Sequence, residues 1–164
     1  MRLPISVLAL TTLALTACPA GDRPGPDESD EPTVAACEAV GDPSDASTTV
    51  DVELVEYAVE VDPVAMAGPT IAFRAHNSGT EAHELVIVAG ADASVLPTDD
   101  DGALDESLLG GDVLIGEIEP FAPDTDCTGV FDLEPGAYVL LCNVVEDGEA
   151  HFAEGMFIEI SVTG

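Results

Sequence analysis

The chain has 164 residues, of which 46% are hydrophobic, enough for one globular domain with a tail. It carries 33 acidic residues against three arginines and no lysine, which gives a formal net charge of −30 at pH 7. A surface of this charge repels phosphate groups, which excludes nucleic acid and anionic lipid headgroups as binding partners. The hydrophobic content is too high for a chain that is disordered throughout. We therefore expect a folded core beneath a very acidic surface.

Two interpretations of this acidic surface differ in their functional meaning. Carboxylates spread over a whole surface keep a protein soluble in a salt-rich or otherwise acid-biased organism, whereas a localised acidic face would bind a basic partner. Lysine is missing from the entire length of the chain, which favours the first interpretation. Attraction of a basic partner would also fade in high salt, because the Debye length falls to about 3 Å at 1 M.

Residues 1–17 have the pattern of a bacterial export signal. Arg2 precedes a stretch of apolar and small residues over positions 3–17, which is too short and too weakly flanked for a permanent membrane-spanning helix. The stretch closes on the sequence LTAC at residues 15–18, which resembles a lipobox, where the cysteine becomes the acylated first residue of the mature protein. We expect a lipoprotein signal peptide with cleavage before Cys18 and lipidation of Cys18. An ordinary signal peptide with a chance cysteine is the alternative.

Residues 18–46 are expected to form a lipidated N-terminus followed by a tether. The stretch 19–36 is rich in proline, glycine, aspartate and glutamate and has almost no apolar pattern, which is typical of disorder. A flexible chain of this length spans about 20–30 Å, and like charges extend it further. The lipid would anchor the protein to the outer face of the cytoplasmic membrane, in a periplasm or at a cell surface, with the folded domain at residues 47–164.

From residue 47 onward, apolar and polar residues alternate in the way that predicts β-strands. Residues 91–111 are predicted to be irregular, and no stretch of about 12 residues has a convincing helical period. Seven or eight short strands in a domain of this length favour an all-β Greek-key β-sandwich. The predicted strands cover residues 50–54, 57–61, 70–75, 84–88, 113–118, 128–133, 137–142 and 156–162.

Four residues with metal-binding side chains fall at the ends of these predicted strands. His83 opens one strand, Cys142 ends another, His151 lies in the following loop, and Met156 opens the last strand. A sandwich brings strand ends that are distant in sequence together at one pole. Two histidines and a thiolate with a weak axial methionine are the ligand set of a type 1 copper site, which tolerates both copper oxidation states. Taken singly, each of these residues is more often an ordinary core or surface residue.

Three segments around these residues resemble the cupredoxins, the plastocyanin- and azurin-like blue copper proteins. Residues 77–85 (NSGTEAHEL) are similar to the first copper-ligand segment of the family, residues 132–143 (DLEPGAYVLLCN) to the strand into the copper cysteine, and residues 151–156 (HFAEGM) to the histidine-to-methionine closure. The resemblance covers roughly residues 49–163 and implies a cupredoxin fold with one type 1 copper. It implies equatorial and axial ligands at His83, Cys142, His151 and Met156.

The loop between Cys142 and His151 departs from the resemblance. It has eight residues, more than in small plastocyanins, and it carries the acids Glu146, Asp147 and Glu149. In the family, the edge of the second ligand histidine usually conducts the electron through an apolar patch. We expect that patch to be partly acidic here, and negative charge near copper to favour Cu(II) and lower the reduction potential.

Lipidation of Cys18 and copper binding by Cys142 would leave Cys37 and Cys127 as a natural pair. Thiols of exported proteins tend to form disulfides, so we expect these two residues to be bonded. Unpaired thiols or binding of a metal are the alternatives.

Three functions compete at this stage. A membrane-tethered electron carrier, exchanging single electrons with a cytochrome or a membrane oxidase complex, accounts best for the complete ligand set. A copper carrier or chaperone would need an exposed, exchangeable site rich in methionine or histidine, and the chain has only three of each. A metal-free structural domain of the same fold would not need the ligands. An enzyme is not expected, because copper oxidases need further histidine-ligated centres and His76, expected at the surface, is the one histidine left.

Overall fold

The computed structural model describes residues 36–164, which form two packed β-sheets, so the predicted β-sandwich is confirmed. The predicted signal peptide, the lipidated Cys18 and most of the tether lie outside the described residues. Within residues 36–164, no helix has both the length and the apolar character needed to cross a membrane. The described strands are β1 (Thr48–Val55), β2 (Ala58–Val61), β3 (Ala65–Ala67), β4 (Thr70–Asn77), β5 (His83–Ala89), β6 (Leu114–Phe121), β7 (Thr125–Asp132), β8 (Gly136–Leu141), β9 (Val145–Glu146), β10 (Glu149–Ala150) and β11 (Phe157–Thr163).

One sheet has the strand order β2-β1-β4-β7 and the other β3-β11-β8-β5-β6, while β9 and β10 form a separate hairpin. The pairings β1 with β4 and β11 with β3 are parallel, because the chain leaves the first sheet after β2, adds β3 to the edge of the second sheet, and returns as β4. The eight longer strands correspond to the eight predicted ones. The additional strands β3, β9 and β10 have only two or three residues, too few for an alternation pattern to reveal them.

The two sheets enclose the main core, and a second apolar cluster lies on the outer side of the second sheet. In β1, alternate residues Val50, Val52 and Leu54 are buried between the sheets. In β5, every residue from His83 to Val88 is buried, because the irregular segment 90–113 covers the outer face of this strand. Burial on both faces explains why β5 reads as a continuous apolar run instead of an alternating one. The second cluster consists of Val86, Val88, Ala93, Leu104, Val139, Leu141 and Phe152.

The described structure includes residues upstream of the predicted domain boundary. Cys37 is joined by a disulfide to Cys127 of β7, and Val40 pairs with Gly129 of the same strand. Residues 37–45 therefore lie along β7, which is an edge strand of the first sheet. A covered edge cannot recruit a strand from another molecule, so this segment protects the edge of the first sheet.

We expect the Cys37–Cys127 bond to stabilise the domain substantially. It joins residues 90 positions apart, and native cross-links that restrict the unfolded chain typically contribute roughly 2–4 kcal/mol. The double variant Cys37→Ala, Cys127→Ala should lose about that much unfolding free energy in urea relative to oxidised wild type. Reduced wild type is the control, and its urea midpoint should match that of the double variant. Equal midpoints for the variant and oxidised wild type would contradict the prediction.

Candidate metal centre

Three donor atoms converge at one end of the sandwich. The Nδ1 atoms of His83 and His151 are 3.2 Å apart, and the Sγ atom of Cys142 lies 3.8 Å from the first and 3.3 Å from the second. Ligand atoms that share one metal ion at bonds of about 2.0–2.3 Å are about 3.1–3.8 Å apart. Each of the three residues is at most 1% exposed. The donors are therefore already spaced as ligands of a single buried ion.

Adjacent strands of the second sheet position two of these side chains. His83 is the first residue of β5, and Cys142 directly follows β8, the neighbour of β5. His151 follows the β9–β10 hairpin, and its amide donates a hydrogen bond to the carbonyl of Val144. The sandwich thus gathers residues that are 59 and nine positions from Cys142.

Met156 lies at the same end of the sandwich. Its amide donates to the carbonyl of His151, and its own carbonyl accepts from the amide of Cys142, both at 3.0 Å. The residue is completely buried. These bonds hold the backbone of Met156 next to His151 and Cys142, two of the residues whose donor atoms converge.

Burial sets the protonation of the metal-free cluster. Burial, reinforced by the neighbouring His151 and opposed by Glu56, lowers the pKa of His83 to about 4, so its imidazole is neutral at pH 7 and can bind a metal. Burial also raises the pKa of the Cys142 thiol to about 12. A coordinating thiol loses its proton to the metal's charge, so metal binding here releases a proton and is favoured by higher pH.

Carboxylates occupy the outer edges of both imidazoles. An oxygen of Glu56 lies 3.4 Å from Nε2 of His83, and an oxygen of Glu81 lies 3.0 Å from Nε2 of His151. Both Nε2 atoms are buried and make no hydrogen bond among the described residues, so these two contacts are close approaches of an acid to a ring nitrogen. Tyr57 packs edge-on against His151, with ring centroids 5.4 Å apart. The edge of His151 is therefore covered by an acid and an aromatic ring, where the resemblance implied an apolar patch.

Two of the three acids on the loop after Cys142 lie beside the groups that cover His151. The carboxylate of Glu146 lies within 4.8 Å of the donor atoms of Glu81 and His151. Glu149 accepts a hydrogen bond from the hydroxyl of Tyr57 at 3.4 Å. The surroundings of His151 are thus acidic, and the residue itself remains buried.

The loop before His83 is built around two residues. Asn77 is completely buried; its side chain accepts from the amide of Gly79 and donates to the carbonyls of Glu81 and Phe121. A Cβ atom at Gly79 would lie 2.5 Å from the Glu56 carboxylate oxygen and 2.6 Å from Nε2 of His83. Glycine is therefore required at this position for the carboxylate to approach the imidazole.

The Glu56 carboxylate is held in place by the same loop. It accepts hydrogen bonds from the amides of Thr80 at 2.6 Å and of Glu81 at 2.8 Å. Burial opposes its ionisation, but backbone hydrogen bonds from its own amide, Glu81 and Thr80, together with the charge on His83, lower the pKa of Glu56 to about 2. The group is a carboxylate at any physiological pH. The sequence carried no signal for Glu56 or Glu81, because single acids are not distinctive among 33.

A buried glutamate connects the start of β5 to the residue that follows Cys142. Glu84 is 8% exposed, and its carboxylate accepts a hydrogen bond from the amide of Asn143, the residue after Cys142. Burial raises the pKa of Glu84 to about 7, the Asn143 amide opposes the shift, and three neighbouring acids add to it. These acids are Glu117, Glu106 and Glu119.

Glu84→Gln should stabilise the metal-free protein above neutral pH. The pKa of Glu84 rises from 4.5 to about 7 on folding, so the folded state holds the proton more tightly and the unfolding free energy falls as pH rises between these values. The full effect is on the order of 3 kcal/mol. Glutamine keeps the acceptor for Asn143 and never ionises, so urea unfolding should show its advantage growing from pH 5 to pH 8.

The exposed acid Glu134 provides the matched control, because Glu134→Gln removes one charge without removing a buried carboxylate. Its effect should be small and similar at both pH values. An advantage of Glu84→Gln that is equal at pH 5 and pH 8 would reject titration of Glu84 as its cause.

No protein-family model matches the sequence, and no curated protein is significantly similar to it. Among solved structures, the reduced auracyanin of the photosynthetic bacterium Roseiflexus castenholzii is 26% identical, with a TM-score of 0.50 over 73% of this chain and 99% of its own. Auracyanin B is 17% identical, with a TM-score of 0.54 over 77% of this chain and 94% of its own. Auracyanin A of Chloroflexus aurantiacus, a "blue" copper protein, is 16% identical, covers 70% and 98% of the two chains and has a TM-score of 0.44.

The donor set and the fold lead to the same conclusion. Imidazole and thiolate donors around one buried position suit copper, which accepts both ligand types in either oxidation state. The TM-scores of 0.50 and 0.54 against two auracyanins place this donor set on the fold of those proteins. The chain therefore has the fold of the cupredoxins, the family of those proteins, and its His83–Cys142–His151 cluster fits one type 1 copper ion.

Proposed function

We propose that the protein is a membrane-tethered, extracytoplasmic electron carrier that exchanges single electrons with redox proteins. The observation that carries this proposal is the convergence of three buried donor atoms at the mutual distances that one metal ion requires. Copper, when bound, supplies one-electron chemistry by alternating between its two oxidation states. The proposed equatorial and axial ligands are His83, Cys142, His151 and Met156.

The chain itself contributes a fixed ligand geometry and exclusion of water. Adjacent strands hold His83 and Cys142, and backbone hydrogen bonds hold His151 and Met156. Ligands that are held in this way need to move little when an electron arrives. Because the ligand side chains are at most 1% exposed, a substrate has no direct access to the donor atoms. This burial supports electron transfer over catalysis at the site.

The partners proposed are redox proteins such as a cytochrome or a membrane oxidase complex. An electron would pass at the His151 edge, where the aromatic ring of Tyr57 and the carboxylate of Glu81 form the contact with the surroundings. A partner surface at this point would have to complement negative charge.

Export and lipid anchoring are proposed from the sequence of residues 1–18. The Cys37–Cys127 disulfide supports an oxidising compartment, because disulfides are rare in the cytosol. The lipid on Cys18 and the acidic segment that follows would keep the domain near membrane partners.

Copper binding by wild-type protein with reduced Cys142 is the direct test. One equivalent of Cu(II) should give an intense blue absorption band and a narrow copper hyperfine splitting in EPR. Cys142→Ser should abolish both signals. His76→Ala is the matched control and should retain them, because His76 is partly exposed on β4 and pairs with Asp126 at 3.1 Å. A pale tetragonal copper spectrum that His76→Ala removes and Cys142→Ser leaves would reject the proposal.

Anchoring is tested separately in a bacterial host. The wild-type chain should incorporate labelled fatty acid and fractionate with membranes, whereas Cys18→Ala should do neither. Both chains should acquire the same Cys37–Cys127 bond, which controls for folding. Wild-type protein that stays unlabelled and is released on lysis would contradict the lipid anchor.

A further inference from the structure

We propose that Glu56 and Glu81 act as a pair of positioning residues, each holding one ligand histidine by its outer nitrogen and biasing the copper site towards its oxidised form. This inference rests on the function proposed above. It assigns a role to two acids that lie outside the ligand set, and it makes the reduction potential depend on them.

The contact between Glu81 and His151 is enclosed. The carboxylate oxygen and Nε2 are 3.0 Å apart, both atoms are buried, and neither makes a hydrogen bond among the described residues. The side chain of Glu81 is 33% exposed, so its other oxygen still reaches the surface. Buried polar atoms without a hydrogen bond cost stability, so the retention of this close approach points to a functional pair.

The contact between Glu56 and His83 brings together a β1–β2 turn residue and the first residue of β5. Glu56 lies between β1 and β2, and its oxygen is aimed at Nε2 of His83 by the amides of Thr80 and Glu81. Any residue other than glycine at position 79 would fill the gap between the carboxylate and the imidazole. The chain thus provides both the donors that fix the carboxylate and the space that lets it approach.

The two contacts have the same chemical consequence. The Nδ1 atoms of His83 and His151 face Cys142, so a metal bound through them would leave the imidazole proton on Nε2, the nitrogen that each carboxylate approaches. A hydrogen bond to a carboxylate makes an imidazole a stronger electron donor to its metal. A nearby negative charge favours the metal state of higher positive charge, which for copper is Cu(II). Buried charges are screened little by salt. Both acids therefore stabilise Cu(II) relative to Cu(I).

The reduction potential of the copper-loaded full chain is the first readout. Glu81→Gln and Glu56→Gln should each raise it, by about tenfold in the ratio of reduced to oxidised protein at fixed ambient potential, or about 59 mV for a one-electron couple. Glu154→Gln is the matched control, because Glu154 is exposed, lies three residues from His151 and has no recorded contact with either imidazole. Its shift should be less than half as large. Equal shifts in Glu81→Gln and Glu154→Gln would overturn the inference.

The second readout needs no copper, and its first part uses wild-type protein alone. In wild-type protein loaded with diamagnetic Zn(II), the Nε2 protons of His83 and His151 should give downfield NMR signals that exchange slowly with water. Glu81→Gln should alter only the His151 signal, and Glu56→Gln only the His83 signal. Rapid exchange of both wild-type protons would overturn the inference.

The two proposals fail in different ways. A copper complex without the blue band would reject the electron-carrier function. A blue protein whose reduction potential and Nε2 proton signals are unchanged by Glu56→Gln and Glu81→Gln would reject only the positioning role.

Discussion

The rest of the structure depends on the burial of two imidazoles and a thiol at one end of the sandwich. Polar groups withdrawn from water must find partners, or the fold loses stability for each one left alone. On the inner side, His83, Cys142 and His151 face one another at distances that a metal ion satisfies. On the outer side, Glu56 and Glu81 face the remaining ring nitrogens. Each imidazole is thus held between a donor cluster and a carboxylate.

The architecture around the cluster serves to keep these groups where they are. Two of the ligand-bearing segments belong to neighbouring strands, and the first of them, β5, is packed on both faces because segment 90–113 covers its outer side. The loop before His83 is fastened by the buried Asn77, and the segment after Cys142 by Glu84. An irregular stretch that has no regular pattern in the sequence is therefore part of what makes the site rigid.

The sequence was most informative where a residue type is rare or a pattern is long. Histidine, methionine and cysteine occur three, three and four times, so residues such as His83 and Cys142 are conspicuous, and alternation or a continuous apolar run reveals every described strand of four residues or more. Glu56, Glu81 and Glu84 could not be singled out, because acids are everywhere in this chain and only the fold brings these three to the cluster. Residues 37–45 have a tether-like composition, and their place along β7 depends on a partner 90 positions away.

The three cysteines of the described residues also impose a requirement on how the chain matures. Three thiols in an oxidising compartment can pair in three ways, and only the Cys37–Cys127 pairing leaves Cys142 for a metal. Thiol exchange needs a thiolate, and burial raises the pKa of Cys142 to about 12, so the folded chain keeps this sulfur protonated and out of reach of oxidants. Folding therefore protects the metal-binding thiol from oxidation until a metal binds.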